Sequence, residues 1–309
     1  MTMQALVSRC DRLGDLVLAL PAAALVRRAG FEVTLHCSAY AADVGRWGLA
    51  NGLYDRVWVA GEPAPPDLGI RTWGLSLYHS QETLRAFRQI GTRQTFGPLG
   101  KLDSYLAYRQ GIRQRRSRVA KSEMAYNLDL ARGLIRWAGL PQPPEEALPA
   151  LRVPAAWSAP RPSPDWVAVI ASGGSAQNWP VPRYLDWLAR RRGGGQSLDF
   201  LVMGVEAAER RAALQASGIL EEPGVGLVES FPSVRALIAY LAGAGQVLSS
   251  STGPLHIAHA AGVPVYGIYP ERPKVESFAR WKPDGFGGGA PVTLVPLERT
   301  DTEAPRSGS

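Results

Sequence analysis

Short apolar and β-branched runs alternate with helix-like stretches along this chain of 309 residues, and this alternation restricts its possible folds more than any other feature. In the first part, strand-like runs at 3–8, 31–37 and 56–60 alternate with helical stretches at 16–28 and 41–49. Such spacing is typical of parallel sheets with helices on both faces. The sequence therefore predicts an α/β fold with a doubly wound parallel sheet.

The alternation stops in a proline-rich segment and then begins again. Residues 141–164 contain eight prolines, a composition typical of a linker. Beyond them the alternation resumes and ends with a strand predicted at 263–269. We predict a Rossmann-like domain over 1–150, a linker over 151–164, a second Rossmann-like domain over 165–296 and a disordered tail over 297–309. Two such domains enclose a cleft at the carboxyl ends of their strands, where ligands bind.

The overall composition is that of a soluble globular protein, with 46% hydrophobic and 20% charged residues. The longest apolar stretch, 16–26, is about half as long as a bilayer span. Charged residues between Arg9 and Asp15 interrupt the region where a signal peptide has its apolar segment. We therefore expect a cytoplasmic protein.

The cysteines are too few for a disulfide framework, and the cysteines and histidines lack the spacing of a metal centre. Cys10 and Cys37 are the two cysteines, and the four histidines include one pair at zinc-like spacing, His256 and His259. That pair lacks an acidic or cysteine ligand nearby in the sequence. We expect no metal site.

Positive charge is concentrated between Arg109 and Lys121, in a chain whose formal net charge is +7. The segment includes Arg113, Arg115 and Arg116. One interpretation is the solvated face of a helix, as charge runs commonly are. Another is a patch for an anionic partner such as a phosphorylated lipid or a membrane surface. No nucleic-acid-binding signature accompanies the arginines, so we expect no nucleic-acid partner.

A first candidate loop follows the first predicted strand and contains Gly14 and Asp15. Glycine permits a tight turn, and Asp15 is expected where a helix begins. Aspartate at that position is commonly a helix cap. In a cleft between two domains, the same carboxylate can accept a proton as a general base. Composition alone does not choose between these roles.

A second candidate loop covers residues 171–180. Adjacent glycines allow the backbone to approach a ligand, and Ser172 and Ser175 offer hydroxyl donors to a phosphate. The loop matches neither the dinucleotide-binding pattern nor the Walker pattern, which disfavours a nicotinamide-dependent oxidoreductase. Its simpler interpretation is a flexible loop before a helix.

A third candidate loop joins a predicted strand ending near Ser249 to an alanine-rich helix, and it contains Ser251, Thr252, Gly253 and His256. Unpaired N–H groups and the positive end of a helix dipole suit a phosphate or diphosphate. Many loops of this kind bind nothing, so an ordinary strand-to-helix connection is the alternative.

Together, Gly14-Asp15, the Trp179-Pro180 loop and the Ser251-Thr252-Gly253-Pro254-Leu255-His256 loop resemble glycosyltransferase family 9, the ADP-heptose:lipopolysaccharide heptosyltransferases. The order and spacing of these motifs hold over nearly the whole chain. The resemblance implies a GT-B architecture, with two Rossmann-like domains facing each other across a cleft. The N-terminal domain would bind the acceptor and the C-terminal domain the nucleotide sugar.

The chemistry that the resemblance implies is an inverting transfer that needs no metal and no cofactor. Asp15 matches the position of the family's catalytic base. The expected donor is an ADP-linked heptose or related sugar. The expected acceptor is a lipopolysaccharide core or another glycan, reached by peripheral contact with the inner membrane. Donor contacts are expected from seven residues of the second and third loops, Ser172, Ser175, Gln177, Ser251, Thr252, Gly253 and His256.

Two positions depart from the family pattern and leave the identity of the donor sugar open. Gln177 replaces a lysine that helps to neutralise the leaving phosphate, and Ser251 replaces an aspartate that binds sugar hydroxyls. Arg183, Arg272 or Lys274 could restore the missing cation. The same departures support a second hypothesis, a homologue that binds nucleotide sugars with little or no catalysis.

An acidic residue that contacts the nucleoside is also implied by the resemblance. Glu209 is the nearest match to that position, and Glu206 is the competitor. His256 either donates to a phosphate or sugar hydroxyl or packs beneath the loop as a structural residue. His259, one helical turn further on, is expected to be structural.

Overall fold

The computed structural model describes residues 2–100, 102–118, 121–144, 146–171, 176–270, 278–286 and 290–297. It contains two six-stranded sheets, and every strand pair in them is parallel. Parallel neighbours require crossover connections, and helices between the strands supply nearly all of them. The predicted α/β fold is confirmed.

The first sheet and its helices come from the first half of the chain. Its strands are β1 (Met3–Ser8), β2 (Phe31–Cys37), β3 (Arg56–Val59), β4 (Trp73–Ser76), β5 (Gln94–Leu99) and β6 (Gln110–Arg113). Its helices are α1 (Leu13–Val17), α2 (Leu20–Arg28), α3 (Ala42–Ala50), α4 (Gln81–Gln89), α5 (Leu102–Ala107) and α6 (Glu123–Trp137). Short 3₁₀ turns lie at Ala39–Ala41 and Arg116–Arg118.

The second sheet repeats this plan in the second half. Its strands are β7 (Trp166–Val169), β8 (Leu198–Leu201), β9 (Val225–Val228), β10 (Gln246–Ser250), β11 (Val265–Pro270) and β12 (Val292–Leu297). Its helices are α7 (Val181–Ala189), α8 (Ala207–Ala216), α9 (Val234–Ala242), α10 (Gly253–Ala260) and α11 (Phe278–Trp281). A 3₁₀ turn lies at Ile219–Glu221.

The two sheets have the same strand order. It is β3-β2-β1-β4-β5-β6 in the first and β9-β8-β7-β10-β11-β12 in the second. The order reverses direction between β1 and β4 in one sheet and between β7 and β10 in the other. Loops diverge at such switch points and leave a crevice at the carboxyl ends of the strands. All three loops singled out in the sequence begin at these ends.

The apolar stretch at 16–26 forms the end of α1 and most of α2, and both lie in the core. Every residue of α2 from Leu20 to Val26 is buried, and α2 packs beside α6. Helix α6 begins where Ser122 accepts a hydrogen bond from the Ala125 amide, and it ends before Gly139, whose φ of 73° suits glycine. Within the described ranges, no helix is long and apolar enough to cross a bilayer.

Several predicted boundaries were wrong. The helix predicted at 16–28 is divided into α1 and α2, and the strand predicted as the last one is followed by β12. The segment from Arg109 to Lys121 is not a helix, because its described part contains β6 and a 3₁₀ turn. Residues 298–309 of the predicted tail lie outside the described residues, and Leu297 belongs to β12.

The proline-rich connection makes specific contacts with both domains. Leu151 donates its amide to the Ala260 carbonyl at 2.7 Å. The Arg152 carbonyl accepts hydrogen bonds from Trp47 Nε1 at 3.0 Å and from the Asn51 amide at 2.9 Å. These bonds attach the connection to α3 of the first domain and to α10 of the second.

Candidate active site

A cavity of about 760 Å³ lies between the two domains, at the carboxyl ends of both sheets. Its volume is typical of a site for a small ligand. Six of the residues predicted from the sequence line it: Asp15, Gln177, Ser251, Thr252, Gly253 and His256. The fold therefore brings together residues that are up to about 240 positions apart in the chain.

Asp15 stands in the first turn of α1, at the wall formed by the first domain. Its carboxylate accepts a hydrogen bond from Arg9 Nη2 at 2.7 Å, and its side chain is 12% exposed. Burial raises the pKa of Asp15 to about 6, although the Arg9 guanidinium works in the opposite direction. A carboxylate with such a pKa is ionised at neutral pH and is more basic than an exposed aspartate.

Arg9 is buried and pairs with three carboxylates, one of which is that of Asp15. Its side chain is 1% exposed and forms ion pairs with Asp11 at 2.7 Å, Asp15 at 2.7 Å and Glu123 at 2.9 Å. Burial disfavours the charged guanidinium, but the three acidic neighbours outweigh it and raise the pKa of Arg9. The guanidinium is thus held as a fixed cation that orients Asp15.

Glu123 lies beneath Arg9 at the start of α6 and is fully buried. One carboxylate oxygen accepts from Arg9 and Arg116, and the other accepts from Arg280 Nε at 2.8 Å. Burial alone would raise the pKa of Glu123, but the three arginines together lower it. We call Arg9, Asp15, Glu123, Arg116 and Arg280 the ionic network.

Arg280 connects this network to the second half of the chain. It belongs to α11, is 6% exposed and also donates to the Arg116 carbonyl. Helix α11, which lies between β11 and β12 in the chain, therefore contacts the first domain. The wall that carries Asp15 contains residues from both ends of the chain.

The opposite wall is the start of α10. Thr252 occupies the N-cap position, but its hydroxyl lies 2.9 Å from the Ser249 hydroxyl and makes no cap hydrogen bond. The amides of Leu255 and His256 bond to the Thr252 carbonyl, and Pro254 has no amide hydrogen. This leaves the Gly253 end of α10 facing the cavity without a side-chain cap, which favours an anion there.

The two walls touch where Gly14 meets α10. A methyl group on Gly14 would lie 2.7 Å from His256 Cδ2 and 3.5 Å from the Gly253 Cα atom. One on Gly253 would lie 3.1 Å from Leu13 Cβ. A side chain on Gly14 would require His256 to move, and one on Gly253 would be in tight contact with Leu13, because the two helix starts approach each other closely.

His256 is positioned beside that contact and is 3% exposed. Its Nδ1 atom is buried and has no hydrogen-bond partner among the described residues. Burial lowers the pKa of His256 to about 3, with a smaller contribution from His259. The ring is therefore neutral at physiological pH and offers a hydrogen bond but no charge.

The loop after β7 contributes the exposed side chain of Gln177 to the cavity. Its neighbour Asn178 receives a hydrogen bond from Ser250 Oγ at 2.8 Å and donates to Glu206 at 2.7 Å. Asn178 thus connects the loops that follow β7, β8 and β10. Ser172 and Ser175, the predicted hydroxyl donors of this loop, lie outside the described residues.

The acidic candidates after β8 are not on the cavity lining described by the structure. Glu209 is exposed on α8, and Glu206 is bound to Asn178 and lies 3.8 Å from Arg210. At this end the lining is mostly apolar, with contributions from Val169, Met203, Gly204, Phe231, Val234, Leu237 and Ile268. Such a surface suits a flat, weakly polar ring.

Arg12 also lines the cavity, although no sequence motif pointed to it. It is exposed at the N-cap of α1 and is the only lysine or arginine on the described lining. Arg183 instead stacks on Trp179 at 4.6 Å from the ring centroid. Arg272 and Lys274, the other proposed cations, lie outside the described residues. The signal that could have revealed Arg12 is its position in a charged loop directly after a strand.

The three arginines of the predicted anion patch are not equivalent. Arg113 and Arg115 are exposed, whereas the Arg116 side chain is 16% exposed and takes part in the ionic network. Burial lowers the pKa of Arg116 to about 10, despite the attraction of Glu123. Arg113 and Arg115 are therefore accessible to an external anion, whereas Arg116 forms a buried ion pair with Glu123.

Metal-binding and disulfide chemistry find no support in the described ranges. No group of three or more His, Cys, Asp or Glu side chains there could hold a metal ion. Cys10 and Cys37 are free thiols, and burial raises the pKa of each to about 12.

Solved structures share this fold over nearly the full chain. The glycosyl transferase family 9 structure from Veillonella parvula aligns with a TM-score of 0.72 at 13% identity, over 95% of this chain and 86% of that one. E. coli heptosyltransferase WaaC with ADP has a TM-score of 0.69 at 15% identity, over 95% and 94% of the two chains. This chain has the fold of glycosyltransferase family 9.

The family 9 fold also matches E. coli ADP-heptose lps heptosyltransferase II, with a TM-score of 0.69, 15% identity, and 95% and 90% of the two chains covered. No protein-family model matches the sequence. A Haemophilus influenzae protein named "Putative glycosyltransferase" is 28% identical over 195 residues, which cover 58% of this chain and 54% of that protein. The match thus spans about half the length of that relative, and the predicted resemblance to family 9 is confirmed at the level of the fold.

Proposed function

We propose that this protein is an inverting glycosyltransferase that moves a sugar from a nucleotide diphosphate donor to a hydroxyl of a glycan acceptor. One observation carries the proposal. The carboxylate of Asp15 and the uncapped start of α10 line the same cavity, one from each domain. A base and an anion site so arranged suit in-line displacement at an anomeric carbon held between them.

In the proposed reaction Asp15 accepts the proton of the acceptor hydroxyl. The hydroxyl oxygen forms a bond to the anomeric carbon while the bond from that carbon to the diphosphate oxygen breaks. Its electron pair leaves with the nucleoside diphosphate, and the configuration at the anomeric carbon inverts. The raised pKa of Asp15 favours this step, because a base is most effective when its pKa lies near the working pH.

The donor would lie along the second domain. The leaving diphosphate would be stabilised by the Gly253 amide, the α10 dipole, the Thr252 and Ser251 hydroxyls and the neutral His256 ring. The apolar end around Met203 and Phe231 would receive the nucleoside base. An ADP-linked heptose or related sugar is the donor we propose, since the E. coli WaaC and V. parvula structures share this fold and the former binds ADP.

The acceptor would approach from the first domain, where Asp15 stands. A lipopolysaccharide core or another anionic glycan is the proposed class. Exposed Arg113 ends the edge strand β6, and exposed Arg115 lies two residues further on. Both are therefore at the carboxyl end of the sheet, as the cavity is, and would attract phosphate groups of the acceptor or of the inner-membrane surface. The proposed setting is the cytoplasmic face of that membrane.

A nucleotide panel and a transfer assay test this proposal. Among ADP, UDP, GDP and dTDP, we expect ADP to raise the thermal unfolding midpoint most. Wild type should release ADP from ADP-heptose in the presence of a lipopolysaccharide-core acceptor, and Asp15→Ala should lose that activity while still binding ADP. Turnover by Asp15→Ala at the wild-type rate would refute Asp15 as the base.

A weakly catalytic nucleotide-sugar binder is the second candidate. The observation in its favour is that Gln177 and Ser251, both neutral, line the donor side of the cavity where family 9 carries opposite charges. A binder would give a clear ADP shift with no ADP release by wild type on any acceptor offered. The enzyme hypothesis predicts turnover that depends on Asp15.

A further inference from the structure

Helix α5 presents an apolar face that nothing in the described structure covers. Leu102 is 80% exposed, Leu106 is 85% exposed and Tyr105 is 49% exposed. Their spacing places them on one side of the helix. We call these three residues the α5 face.

The opposite side of α5 is firmly attached to the first domain. Ser104 is 2% exposed and accepts a hydrogen bond from the Gly100 amide at 3.1 Å. His79 Nε2 lies 3.0 Å from the Asp103 carboxylate, which connects α5 to the loop after β4. Because the helix is anchored in this way, its large apolar side chains are held outward by the fold. A fixed, exposed apolar cluster is a common mark of an interaction site.

The part of the chain that contains α5 is strongly basic. Residues 71–121 contain eleven lysines and arginines and two acidic residues, a formal charge of +9 in a chain of net charge +7. The remainder of the chain is therefore slightly acidic. Arg113 pairs in register with Leu99, three residues before α5 begins, and Arg109 follows the helix by two residues. Both arginines are exposed.

We propose that α5 docks on an anionic lipid bilayer, with Leu102, Tyr105 and Leu106 entering the interface and the surrounding arginines binding lipid phosphates. Amphipathic surfaces with aliphatic and aromatic side chains among basic residues bind membranes in this way. A second copy of the chain fits less well, because two such basic surfaces would repel each other. Nucleic acid fits less well because Leu102 and Leu106 have no rings for base stacking.

Docking through α5 would bring the acceptor wall to the membrane. Helix α5 follows the carboxyl end of β5, and its neighbour β4 leads into Leu77 and Tyr78. The Leu77 carbonyl accepts from Arg9, and the Tyr78 ring lies 5.3 Å from the Arg9 guanidinium. This inference rests on the proposed function, because docking serves catalysis only if the acceptor is held at the membrane. Vesicle binding itself requires no turnover, so the two can fail separately.

Sedimentation with phosphatidylglycerol-containing vesicles tests the docking. Wild type should bind these vesicles, bind pure phosphatidylcholine much less, and be released by high salt. The double variant Leu102→Ser/Leu106→Ser should lower the partition coefficient about tenfold or more. Leu294→Ser, which removes a 47% exposed leucine from the second domain, is the matched control and should bind as wild type does.

A charge series completes the experiment. Arg113→Ser/Arg115→Ser should weaken binding about tenfold, whereas Arg190→Ser/Arg211→Ser, which removes the same charge from the second domain, should change it little. Wild-type binding by Leu102→Ser/Leu106→Ser would overturn the proposal. So would a wild-type dimer that this variant converts to a monomer, because the face would then be a self-association surface. Transfer to a water-soluble acceptor should be unchanged in the variant, which separates lost docking from lost catalysis.

Discussion

The two walls of the cavity differ most in how they carry charge. The first-domain wall holds Asp15 in a buried network in which Arg9, Arg116 and Arg280 surround Glu123. On the described lining of the second domain, every side chain is neutral, including His256. Fixed charges are thus concentrated on the side proposed for proton transfer.

This difference teaches how each wall could work. A buried carboxylate needs a cation to remain oriented, but a cation alone would make it a poor base. In the first wall, burial more than offsets the attraction of Arg9, so Asp15 is both oriented and basic. The second wall must stabilise a departing diphosphate with amide donors and a helix dipole. Arg12, which lines the cavity from the first domain, is the only lysine or arginine on the described lining that could neutralise the diphosphate.

The largest expected effect comes from removing the base. Asp15→Asn should lower the rate of sugar transfer about a thousandfold, the usual range for loss of a general base. Asp11→Asn is the matched control, because Asp11 also pairs with Arg9 at 2.7 Å but does not line the cavity. It should retain activity within about tenfold. Equal losses in the two variants would mean that Arg9, not Asp15, is the essential group.

Breaking the network should affect stability next. Glu123→Gln leaves three arginines without their shared carboxylate and should destabilise the protein by about 3–5 kcal/mol. Glu82→Gln removes one carboxylate from an exposed pair with Arg85 at 3.2 Å and should cost less than about 1 kcal/mol. Thermal and denaturant unfolding of both variants measure the contrast. Similar losses would show that the buried network contributes no more than a surface pair.

The buried, ionised carboxylate of Asp15 should lower the stability of the folded protein at neutral pH. Its folded pKa of about 6 exceeds the ordinary value of 3.8, so its contribution to stability is fully present below pH 3.8 and is lost as pH rises through 6. Asp15→Asn should therefore be more stable than wild type by about 2–3 kcal/mol above pH 7. The difference should vanish below pH 4. A variant less stable than wild type at neutral pH would mean that the Arg9 pair outweighs burial.

A smaller effect should come from adding charge to the neutral wall. Gln177→Lys should tighten ADP binding about tenfold, because a charged hydrogen bond is stronger than a neutral one. Gln89→Lys adds the same charge on the exposed side of α4 and should leave ADP binding unchanged. Calorimetric titration compares the two. No gain from Gln177→Lys would place the diphosphate away from this residue.

The sequence predicted several residues that line the cavity, but it did not predict the ionic network behind them. Asp15 lies in the first turn of the helix after β1, and Thr252 lies two residues after β10, so local pattern and strand polarity place both at the cleft. The pairing of Arg9 with Glu123 joins residues 114 positions apart, and no spacing rule reveals it. Strand β5 was missed because Gly97 and Pro98 interrupt it, and β12 because Pro296 lies within it.

The most direct test compares the pH dependence of sugar transfer, assigned to the first wall, with that of donor binding, assigned to the second. For wild type, kcat/KM for transfer should fall tenfold per pH unit below about pH 6, because protonated Asp15 cannot act as a base. Over the same range the Kd of an ADP-sugar, whose diphosphate ester does not titrate there, should stay constant. A kcat/KM that is flat from pH 8 to 5, or that falls only in parallel with donor affinity, would contradict the account.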